Sequence, residues 1–174
     1  SKKTQQQKLS DYITLLQSWA KNKDGFIPYV FGGASWLESY RKDEVYKVKN
    51  GHSRRGQTAA IPSGMDCSTM LYLAALVVDI PYYAKNTTTL SHQLDSVKKG
   101  DHLEVGDLIW VPGHVQLVSG IGKNPKILEA RGYSPGFGKV HEVSMGKLLK
   151  GHTTVQSLEE AYLKKKDLVY LNKA

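Results

Sequence analysis

The chain of 174 residues has one cysteine, so it can form no internal disulfide, and cysteine pairing says nothing about its redox compartment. Long apolar runs are missing too. The longest, Leu71 to Val78, is under half of the ~18 residues that a membrane-spanning helix needs. No apolar stretch follows the polar, basic N-terminus, so no signal peptide is read there. The six histidines, at 52, 92, 102, 114, 141 and 152, form no His-x-x-x-His pair, and Cys-x-x-Cys is impossible; no metal and no other cofactor is expected. A Gly-x-Ser-x-Gly elbow is lacking, which leaves a serine hydrolase without support. The basic residues come without a recognition helix, zinc finger or aromatic-basic RNA motif, so nucleic acid is not an expected partner.

Positive charge, by contrast, is plentiful. A net charge of +8 suits an anionic environment, for which nucleic acid, an anionic glycopolymer and an acidic membrane surface all qualify, although a generic solvated basic surface would have the same composition. The 40% hydrophobic and 23% charged fractions are those of an ordinary folded protein. The length fits one domain of roughly 100–200 residues, and a monomer is expected.

Residues 1–7 read as a flexible polar segment. Ser10 and Asp11 offer caps for a helix carrying Ile13, Leu16, Trp19 and Ala20 on one face. Residues 34–61 are polar, basic and weakly periodic, and read as an insertion. A buried helix is expected over Cys67–Val78, stopped before Pro81, and a second over Thr88–Lys99, stopped by Gly100. Strands are expected at Asp107–Val111, His114–Ile121, Lys126–Arg131, Lys139–Val143 and Asp167–Leu171, with a helix over Ser157–Lys166. Helices first and a mostly antiparallel sheet second make an α+β fold.

Cys67 stands between Asp66 and Ser68 at the head of the apolar helix, and His114 opens a strand after Pro112-Gly113. A thiol at its usual pKa of about 8.5 is only a few per cent thiolate at neutral pH, and a helix N-terminus and a nearby imidazole both aid it. A small buried cysteine and an unrelated strand-end histidine would give the same spacing.

Several motifs in order resemble the NlpC family of bacterial cell-wall cysteine peptidases, within the papain-like superfamily. They are Tyr29-Val30-Phe31-Gly32-Gly33, Asp66-Cys67-Ser68, Gly106-Asp107-Leu108 and Gly113-His114-Val115. Asn86-Thr87-Thr88-Thr89 and Leu128-Glu129-Ala130-Arg131-Gly132 are similar to the family as well. Thr69 departs from it, standing where a glycine is common.

The resemblance implies a papain-like fold over residues 8–174 and catalysis by Cys67 with His114 as base. A third polar residue on the following strand would orient the imidazole. Glu129 stands at that position, and His141, one strand further on, is the alternative. Tyr29 matches a tyrosine that helps hold the oxyanion, although a core aromatic would fit the same place. Asp66 and Ser68 match residues that bind the amine of a stem peptide, a role compatible with helix capping. Trp36, Arg54 and Arg55 in the insertion are candidates to line a cleft or to sit on a surface loop. The implied substrate is a peptidoglycan stem peptide, cleaved between D-γ-glutamate and the following diamino acid, in the bacterial envelope or outside the cell. The alternatives are an amidase or acyltransferase on another substrate, and a non-catalytic wall-binding module.

Overall fold

Thr4 opens the first helix, α1 (Gln5–Ala20), with a reciprocal cap: its hydroxyl accepts from the Gln7 amide, and the Gln7 side chain accepts from the Thr4 amide. The helix therefore starts well before Ser10, and residues 5–7 are helical where a flexible segment was expected. It buries Tyr12, Ile13 and Leu16, while Trp19 and Ala20 keep partial exposure. The computed structural model describes residues 2–21, 25–27, 29, 40–41, 64–81, 86–132, 138–164 and 170–173. The expected insertion at 34–61 lies outside them apart from Tyr40 and Arg41.

The chain forms two compact units, residues 1–83 with 129–141 and residues 84–128 with 142–174. The first contains α1, a short antiparallel pair β1 (Gly25–Phe26) and β2 (Tyr40–Arg41), and the helix α2 (Cys67–Val77). The apolar run of α2 buries Met70, Leu71, Leu73, Ala74 and Ala75. Each buried leucine or methionine among them contributes on the order of 1.5–3 kcal/mol, and the alanines less. The helix closes with the Ile80 amide on the Ala75 carbonyl at 2.9 Å and the Asp79 amide on Leu76 at 3.3 Å. Asp79 takes a φ of 60°, a left-handed conformation that aspartate tolerates better than most residues. Lys8 of α1 donates to the Asp79 carbonyl at 2.5 Å and to its carboxylate at 2.9 Å. Tyr12 donates to the Leu71 carbonyl at 3.0 Å, so α1 is bonded to α2 along its length and at its end.

In the second unit, Asn86 caps α3 (Thr87–Gln93), whose first strand neighbour is β3 (Asp95–Ser96). The expected helix to Lys99 is cut short because Leu94 is extended and β3 pairs with β8 (Tyr170–Lys173), a distant partner that no local pattern reveals. Then come β4 (Leu108–Val111), β5 (His114–Gly120), β6 (Lys126–Arg131) and β7 (Lys139–Ser144), close to the expected bounds. The one-turn α4 (Met145–Leu148) was not anticipated, and α5 (Val155–Leu163) starts under the Thr154 cap, two residues before Ser157. The sheet order is β3-β8-β4-β5-β6-β7. β8 pairs antiparallel with both β3 and β4, as β5 does with β4 and β6. The chain passes between units inside β6, after Leu128, and inside β7, after His141. The second unit's core joins Val97, Leu103, Ile109, Val118, Ile127, Met145 and Leu158. Among the described residues no helix is long and apolar enough to cross a membrane.

Candidate active site

Asp66 builds the head of α2. Its Oδ1 accepts from the Thr69 amide at 2.8 Å, the Thr69 hydroxyl at 2.6 Å and the Ser68 hydroxyl at 3.2 Å. Cys67 and Ser68 occupy the first two helical positions, where amides have no partner within the helix and negative charge is favoured. Cys67 is buried, as is Ser68. The departure at Thr69 has a local reason, since its hydroxyl supplies one of the bonds that fix the Asp66 cap.

Tyr29 is placed beside this helix head by its backbone. It forms an isolated parallel bridge with Met65, and its amide donates to Gly138 at 2.8 Å. The Val140 amide donates to Ile27 at 2.9 Å, so Ile27 and Tyr29 run along the start of β7. Burial pushes the Tyr29 phenol well above its usual range, and negative charge at Cys67 and Asp66 pushes the same way. The phenol is thus kept protonated as a hydrogen-bond donor at the helix head that carries Cys67.

Glu129 on β6 and His141 on β7 meet in the same unit. The fully buried Glu129 carboxylate takes the His141 Nε2 at 3.0 Å and the Arg131 Nε at 2.6 Å, both on Oε1. The imidazole is buried, while the guanidinium keeps 24% exposure. The two residues that the sequence offered as alternatives are therefore bonded partners. Arg131 was missed, although period-two alternation puts it on the Glu129 face of the strand.

His114 belongs to the second unit, at the first position of β5 and opposite Val111 of β4. Pro112 and Gly113 make the turn before it; proline first and a glycine at φ 83° second is the residue pair of a type II turn. Trp36, Arg54 and Arg55 lie outside the described residues. Among those described, no group of three or more His, Cys, Asp or Glu could hold a metal ion.

No protein-family model matches the chain. No curated protein matches it. The solved structure of the peptidoglycan hydrolase RipB from Mycobacterium tuberculosis is similar, with a TM-score of 0.53 and 24% identity over 80% of this chain and 59% of that one. The chain spans less than two thirds of the RipB chain. At this identity the likeness is one of fold, and the fold is the α+β arrangement of helices and a mostly antiparallel sheet expected from the sequence.

Proposed function

We propose that the protein is a cysteine peptidase that hydrolyses an amide bond in peptidoglycan stem peptides, the bond between D-γ-glutamate and the following diamino acid. The observation that carries this reading is the head of α2, where a buried lone thiol sits at a capped helix N-terminus beside a protonated tyrosine. The likeness in fold to a peptidoglycan hydrolase supports it.

In this mechanism Cys67 attacks the carbonyl carbon while His114 takes the thiol proton. The tetrahedral oxyanion is met by the Tyr29 hydroxyl and by amides of the first turn of α2. His114 then returns the proton to the leaving amine, and a water repeats the sequence on the thioester. Glu129 orients the imidazole and stabilises its charged form. The amine of the stem peptide binds at Asp66 and Ser68. The +8 charge draws the enzyme to anionic wall polymer in the bacterial envelope.

Digestion of purified muropeptides followed by mass spectrometry tests the reading, because product masses report the bond cut. Cys67→Ala is expected to lower turnover at least about a thousandfold while the fold persists. Iodoacetamide should inactivate the wild type at one equivalent, and a chelator should leave it active. Wall hydrolysis by the alanine variant would remove the mechanism.

A further inference from the structure

Glu129 is held from two sides by residues that the proposed mechanism does not use. Its Oε1 accepts from Arg131, two residues along the same strand, and from His141 on the neighbouring strand. Arginine carries its charge at any usable pH, and its fork fixes the direction from which a carboxylate is met. An imidazole with a proton on Nε2 adds a second donor in a different direction. Two donors meeting one oxygen from different directions hold the carboxylate more firmly than either alone. A buried glutamate with one partner could rotate about its last torsion, which is soft. With two it cannot without breaking a bond in a place where an unmet charge is costly.

We propose that Arg131 and His141 are positioning residues: together they hold the carboxylate of Glu129, the group that the proposed mechanism uses to orient the imidazole. The inference rests on the proposed cysteine peptidase reading and adds to it a set of three side chains acting through one atom. His141 is then neither a surface histidine nor a rival for the third catalytic position. It acts behind Glu129.

Kinetics on purified muropeptides with the full chain test this, with Tm measured for every variant. Arg131→Met and His141→Phe are each expected to lower kcat about tenfold with KM unchanged, the size of coupling that bonded neighbours show. In a Glu129→Gln background the same two changes should each cost less than about twofold, since the group they hold is already altered. Arg131→Lys, which keeps the cation on a partly exposed side chain, should fold and retain most of kcat. Wild-type kcat in Arg131→Met and His141→Phe would overturn the inference, as would equal losses in both Glu129 backgrounds. Loss of stability with unchanged kcat would overturn it too, as the mark of a purely structural pair. These outcomes concern positioning alone; a wild type that cuts no muropeptide, or a Cys67→Ala variant that does, removes the peptidase reading itself.

Discussion

Each unit buries a glutamate, and the two differ in which partner makes the short bond. Glu159 in α5 accepts from the Leu103 amide at 2.6 Å, while the exposed His102 ring approaches its other oxygen at 3.4 Å. Glu129 is bonded by a guanidinium and a buried imidazole. A carboxylate whose short bond is to a backbone amide fixes a loop, and an exposed imidazole at 3.4 Å adds little to it. One that takes ionisable side chains belongs to a group whose members can be aimed, charged and neutralised. Burial alone does not distinguish the two, since both side chains are nearly inaccessible. The partners do.

Truncation should separate them most strongly. Glu129→Ala is expected to lower kcat by roughly a hundredfold or more, as loss of a residue that orients a catalytic histidine does. Glu159→Ala should leave kcat per folded molecule within about twofold and cost about 1–3 kcal/mol, because the Leu103 amide is left buried without its acceptor. Muropeptide kinetics and urea unfolding on both variants read the contrast. A large kcat effect in Glu159→Ala would break it.

A smaller effect concerns pH. The folded Tyr29 phenol has its pKa raised above the unfolded value of about 10, so its contribution to stability is complete below that pH and lost as pH rises further. Between pH 9 and 11 the Tm of the wild type should therefore fall more steeply than that of Tyr29→Phe. Equal slopes would mean that the phenol is not protected beside Cys67. The smallest effect is expected at Ser119 of β5, whose hydroxyl is buried with no hydrogen-bond partner among the described residues. Ser119→Ala should be neutral or stabilise by up to about 1 kcal/mol in urea unfolding, since it removes a desolvated group. A clear loss would show that the second unit, too, uses its buried polar groups.

Local signals made much of this legible in the sequence. Asp66 before an apolar run marked the start of α2, and alternation with turn residues marked β4 to β7 almost to the residue. The start of α1 was equally readable, since Thr4 and Gln7 have the spacing of a capping box, but Ser10-Asp11 drew the assignment away. The end of α3 was not readable. It depends on β8, far along the chain, which claims Asp95 and Ser96 for a sheet. At the site, the helix head and Glu129 were visible as types in a familiar order. The bond between Glu129 and His141 needed the strand order, which no spacing supplies.

The position of β8 also bears on how the protein comes into being. Strands β4 to β7 follow one another and can meet as soon as they leave the ribosome, but β4 pairs on its other side with β8. During synthesis, the backbone of Leu108–Val111 is an open, strongly apolar edge until Tyr170–Lys173 arrives. Such edges recruit strands from other chains, and late closure by a distant segment is slow compared with hairpin formation. The interval between those two events is when a nascent chain is most exposed to aggregation, and a chaperone that shields the β4 edge would raise the yield of folded protein.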